Sequence, residues 1–122
     1  MDTATTTTEP KEFLRYFDPA RRCLIRHLDT GHTQRFDLNA QQWRAWAKKK
    51  EDFDLADWHA RKLAYRDSLP AWARNVTELP SMDEIAEAVS DGICETPSGD
   101  SVEPDGHGPD GAPSWLLALG LI

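Results

Sequence analysis

Residues 12–38 read EFLRYFDPARRCLIRHLDTGHTQRFDL, three short apolar and aromatic runs separated by turn chemistry. The spacing predicts a three-stranded antiparallel meander. Asp18 followed by Pro19 suits the opening of a type I turn, because proline presets φ at the second position. Gly31 after Asp29 and Thr30 can take the left-handed conformation of a bulged hairpin turn. Alternation in RCLIRHL sets Leu24, Arg26 and Leu28 on one face and Cys23, Ile25 and His27 on the other, so the pattern leaves open which face is buried.

Working downstream, Asn39 occupies a capping position with Gln42 three residues on, and Leu38 and Trp43 stand at the positions of a hydrophobic staple. These signals predict a helix from Ala40, with Trp43, Trp46, Ala47 and Phe53 at roughly helical spacing and Lys48, Lys49 and Lys50 near its C-terminal end, where the dipole favours positive charge. Asp54 and Asp57 mark a second start. Leu55, Trp58, Tyr65 and Leu69 fall near one face of that helix, the Lys62 methylenes complete the stripe, and Pro70 ends it. Pro70–Asn75 reads as a short helical turn carrying Trp72. Ser81 with Glu84 forms a capping box for a third helix, whose apolar face is Met82, Ile85, Ala88 and Val89 and whose stop is Gly92.

The expected fold class is therefore α+β, a small three-stranded antiparallel meander followed by three helices that cover one side of the sheet. This module spans residues 11–93. A Thr-rich, acidic arm over 1–10 precedes it and is expected to be disordered. Residues 94–113 are rich in Gly, Pro, Ser and Asp and read as an acidic tether, and 114–122 form a short apolar docking tail.

That tail, within PSWLLALGLI, supplies Trp115, Leu116, Leu117, Leu119, Leu121 and Ile122 as a candidate partner-binding set. As a short helix it is capped by Ser114 and loosened at Gly120. Ordering such a segment costs about as much as its apolar burial returns, so it needs a surface to dock on. A flexible tether of this length reaches roughly 24 Å, far enough to return to its own domain. A groove on a partner protein is the other destination, read as helix-in-groove recognition.

The formal net charge of −7 conceals an asymmetry. All fourteen Lys and Arg lie between Lys11 and Arg74, whereas Pro80 to Ile122 holds nine acids and no base. Arg15, Arg21, Arg22, Arg26 and Arg35 are the candidate nucleic-acid-binding set of a basic sheet, with the acidic C-terminal half as an autoinhibitor. The alternative for these arginines is a solvated sheet face paired with Asp18, Asp29 and Asp37.

Chemistry-bearing motifs are scarce. His27, His32, His59 and His107 fall in strand, turn, helix and tether without metal-ligand spacing, and Cys23 and Cys94 form no CxxC pair. No Gly-rich phosphate loop or GxSxG elbow is present. The expectation is a non-enzymatic protein without metal or cofactor, with reduced thiols, no membrane span and a cytoplasmic location. A protein partner is expected, with nucleic acid as the alternative.

Residues 26–55, RHLDTGHTQRFDLNAQQWRAWAKKKEDFDL, resemble a small actinobacterial family of unknown function associated with helix-turn-helix regulators. Phe36, Trp43 and Phe53 carry the resemblance, as a strand, Gly turn, strand ending in an aromatic, and Trp-bearing helix. It implies a regulatory accessory role and transfers no catalytic residue. A phage or mobile-element protein of similar composition is the equal alternative to that family.

Overall fold

The computed structural model describes residues 10–122; apart from Pro10, the expected disordered arm lies outside the described residues. The fold is α+β, as expected, but its main sheet has four antiparallel strands in sequential order. These are β1 (Glu12–Asp18), β2 (Cys23–Leu28), β3 (His32–Asp37) and β4 (Gln42–Lys48). The predicted meander corresponds to β1–β3, joined by the two expected turns. Gly31 sits at φ 97°, where a Cβ would come within 2.9 Å of the Lys49 Cβ.

The helix predicted from Ala40 is β4 instead. Asp37 Oδ1 accepts the Ala40 amide at 3.0 Å and Gln41 takes φ 55°, so the apparent cap residues close a hairpin loop. Asp37 then pairs with Gln42 and Phe36 with Trp43, whose rings meet edge-on at 5.3 Å. A register shift between Thr33 and Gln34 opposes Ala45 and Ala47 to consecutive residues, which leaves Trp46 as the extra residue without a cross-strand partner. Local propensity of an Ala, Gln and Lys-rich segment yields to cross-strand pairing.

Two of the three predicted helices are present. Helix α1 (Leu55–Asp67) has its cap at Asp54, whose carboxylate accepts the Asp57 amide at 3.0 Å. A four-residue helix α2 (Ala71–Arg74) follows Pro70. Helix α3 (Met82–Asp91) has the full Ser81–Glu84 capping box and ends at Gly92 with φ 69°.

The helices cover both faces of the sheet, not one. Tyr16 and Phe17 are neighbours in β1 and point to opposite sides. Phe17 and Leu24 join Ala73, Val76, Ile85, Cys94, Trp115 and Leu116 in the larger core. Leu14, Tyr16 and Ile25 form the smaller core. There Tyr16 meets Tyr65 of α1 at 5.8 Å between ring centroids, and His27 meets Trp58 edge-on at 5.5 Å.

Residues 94–113, expected to be a flexible tether, are folded. Cys94–Glu95 (β5) pairs with Ser101–Val102 (β6), and His107 bridges to Pro113. Short side chains satisfy the backbone: Thr96 Oγ1 accepts the Ser98 and Asp100 amides, and Asp110 Oδ1 accepts that of Ala112. The Gly, Ser, Asp composition that reads as linker is also the composition of hydrogen-bonded turns. Buried Cys94 at one end and Trp115 at the other hold those turns in place.

The apolar tail packs on its own domain. Ser114 caps a one-turn helix α4 (Trp115–Ala118) by accepting the Leu117 amide. Gly120, at φ 71°, closes it: its amide bonds Leu117 O and that of Leu121 bonds Leu116 O, a Schellman arrangement. The positive φ favours glycine there, while a Cβ would lie 2.7 Å from the flexible end of the Arg22 side chain, which can move aside. Trp115 stands edge-on to Phe17 with centroids 5.5 Å apart. Trp115→Ala is expected to cost about 3 kcal/mol in chemical denaturation, and Leu121→Ala less than about 0.5 kcal/mol. Equal losses in the two variants would contradict this packing.

Candidate functional site

The arginines singled out from sequence do not share a face. Arg15 and Arg26 are direct cross-strand partners, and both guanidinium groups lie over Trp43, at 5.0 and 4.4 Å from its ring centroid. Glu12 forms an ion pair with each. Arg15 also donates to Thr77 O at 2.7 Å and Arg26 to Gln34 Oε1 at 2.6 Å. This pair is built into the side of the larger core. Arg22 takes φ 58° in the β1–β2 turn. Arg21 and Arg35 belong to the opposite side, where Arg21 pairs with Asp18 and Arg35, the partner of Ile25, is exposed. Among the described residues, no ion pair joins any of the five to an acid beyond Pro80.

The tail residues are divided by depth. Trp115 and Leu116 are buried, Leu117 and Leu119 are half-buried, and Leu121 and Ile122 are exposed. Both cysteines are free, Cys94 buried and Cys23 half-buried. No group of three or more His, Cys, Asp or Glu among the described residues could hold a metal.

A hydrogen-bonded chain capable of acid–base chemistry runs between the sheet and α1. Tyr16 Oη lies 2.8 Å from His27 Nε2, and His27 Nδ1 lies 2.7 Å from Thr33 Oγ1. The three residues are 2%, 2% and 4% exposed, which seals them from any substrate. Burial, with Lys62 nearby, lowers the His27 pKa to about 4, and burial with Asp18 close by raises that of Tyr16. The neutral imidazole therefore serves as a bridge inside the smaller core. Asp18, fully buried, accepts from Arg21 Nη1 at 2.9 Å, Tyr65 Oη at 3.0 Å and the Ala20 amide at 3.0 Å. Its carboxylate is committed to locking the β1–β2 turn onto α1.

An open groove of about 500 Å³ lies between α3, β5–β6 and α4. Ile85, Ala88, Trp115 and Leu116 give it an apolar floor. Glu78, Glu84, Glu87, Asp91 and Glu95 line it, and no Lys, Arg or His does. On α3, Glu84, Glu87 and Asp91 follow i, i+3, i+7 spacing, which the capping box alone places along one stripe. That stripe was legible in the sequence; its meeting with Trp115 was not. Nearby apolar surface remains open, with Val89 62% and Ile93 60% exposed. The groove can hold an apolar side chain while presenting negative charge around it.

No family model, curated protein or solved structure matches the chain. No helix among the described residues is long and apolar enough to cross a membrane.

His27 makes stability depend on pH. Its folded pKa, about 4, lies below the unfolded value near 6.5, so the unfolded state binds more protons in between. The stabilisation is complete above pH ~6.5 and is lost as pH falls toward and below ~4, a change of roughly 3 kcal/mol. Denaturant midpoints measured across that window are expected to fall less steeply in His27→Gln. An identical pH slope in the variant would sink the assignment.

Proposed function

We propose that this chain is a non-enzymatic accessory or regulatory protein of the cytoplasm that works through protein contacts. The groove between α3 and α4 receives a cationic, amphipathic segment of the partner. One observation carries this reading: an open apolar floor lined by five carboxylates and no base. Apolar anchors give such a contact its stability, and complementary charge gives it selectivity and rate. Trp115 and Leu116 contribute from within, as the floor on which the partner rests. The remaining tail residues, Leu117, Leu119, Leu121 and Ile122, lie outside that lining, and the last two add exposed apolar surface. The resemblance of residues 26–55 to the actinobacterial family associated with helix-turn-helix regulators lends this reading little, because the Trp-bearing helix of that pattern is strand β4 here.

The test is calorimetric titration with two designed helical peptides of identical Leu and Phe pattern, one bearing Lys and Arg on its flanks and the other Glu and Asp. The basic peptide is expected to bind and to weaken with added salt. Paired reversal Glu87→Lys with Asp91→Lys, both exposed, is expected to reduce its affinity at least about tenfold without lowering the thermal midpoint. Equal binding of the acidic peptide would refute the proposal.

A further inference from the structure

A second surface lies on the side of the sheet that α1 partly covers, separate from the groove. Arg35 is paired with Ile25 of the smaller core and directly opposes Arg44, so both belong to this side. Arg21 reaches over the Trp46 ring, 5.1 Å from its centroid, and shares the Asp18 carboxylate with Tyr65. Burial lowers the Lys62 pKa, and nearby Arg21 adds to the shift; burial and Asp18 raise the pKa of Cys23, with Arg35 and Arg21 near enough to oppose them. Arg21, Arg35, Arg44 and Lys62 thus share this side of the sheet with two exposed aromatic rings, Trp46 at 40% and Tyr65 at 36%, the Lys62 ammonium resting over the neighbouring Trp58 ring at 5.6 Å.

Directly opposed like charges destabilise a strand pair, so the Arg35–Arg44 register calls for a compensating anion. Asp37 pairs with Arg44 at 2.8 Å, but Arg35 has no hydrogen bond or ion pair among the described residues. Trp46 is held from one side by Arg21 and remains 40% exposed.

We propose that this face binds single-stranded nucleic acid. Unpaired bases stack on Trp46 and Tyr65, and phosphates lie against Arg35, Arg44 and Lys62, while Arg21 steadies the indole. Interleaved aromatic rings and cations on an open sheet match the two needs of a single strand, a stacking platform and a charged track. A duplex offers no free base faces, and its higher charge density is repelled more strongly by a molecule of net charge −7. An acidic peptide would use the cations and leave the rings unfilled. Three phosphate contacts correspond to a slope of log K against log salt of about −2.

The experiment is fluorescence anisotropy with the full chain and labelled single strands of DNA and RNA about ten nucleotides long. A duplex of the same length and anionic phosphatidylserine vesicles serve as competitors. Either single strand is expected to bind at low salt with that slope and to be displaced by unlabelled single strand in preference to duplex or vesicles. Trp46→Ala is expected to weaken binding about tenfold. Arg35→Gln, at an exposed and unpartnered position, is expected to reduce the slope by about 0.7 while the thermal midpoint holds. Glu87→Lys in the groove is expected not to weaken it, which separates this surface from the peptide site. No binding at low salt, full affinity in Trp46→Ala, or stronger competition by duplex or vesicles would each overturn the proposal.

Discussion

Phe17 packs edge-on against Trp115 on one side of β1, while Tyr16, its neighbour, packs against α1 on the other. Period-two alternation sends adjacent side chains to opposite faces, so a strand that is apolar on both demands a covering layer on both. The first 93 residues supply α1 for one face and α2 with α3 for the other. They leave Phe17 and Leu24 in need of the tail, which completes the larger core with Trp115, Leu116 and Ala118. Residues 94–113 are ordered in turn because both of their ends are fixed in that core, and their own side chains close the intervening turns.

The same arrangement separates the charge. The basic first half forms the sheet, where Arg15 and Arg26 are absorbed by Glu12 and Trp43, and Arg21, Arg35 and Arg44 occupy the opposite face. The acidic second half wraps the far side and lines the groove. The sheet lies between the two, so a negative net charge coexists with a local cationic surface. A cationic peptide and an anionic strand would therefore approach from different directions and need not compete.

Much of the fold was legible because its signals are local. The Asp54 cap, the Ser81–Glu84 box, the Gly92 stop, the Ser114 cap and the Gly31 turn each depend on residues within a few positions, and each is formed. β4 was not legible. Leu38, Asn39, Gln42 and Trp43 imitate a helix start, and only pairing with β3 turns Asn39 and Gln41 into loop residues and Trp43 into a cross-strand partner of Phe36. The candidate sites suffered accordingly. Reading 40–50 as helix concealed Arg44 and Trp46 as surface neighbours of Arg21 and Arg35, and composition made a folded turn region resemble a tether.

By itself the sequence determined the antiparallel start of the sheet, the two longer helices, the polarity of charge along the chain, and the fact that an apolar C-terminal segment needs a surface. Caps, turns and charge counts act over a few residues or none, so they survive without tertiary knowledge. Only the tertiary structure decided that β4 is a strand, that both sheet faces are covered, and that Trp115 and Leu116 form the floor of an acidic groove. Those outcomes turn on pairing and packing between residues distant in the chain, where the free energy of cross-strand contacts and apolar burial exceeds the small differences in local propensity.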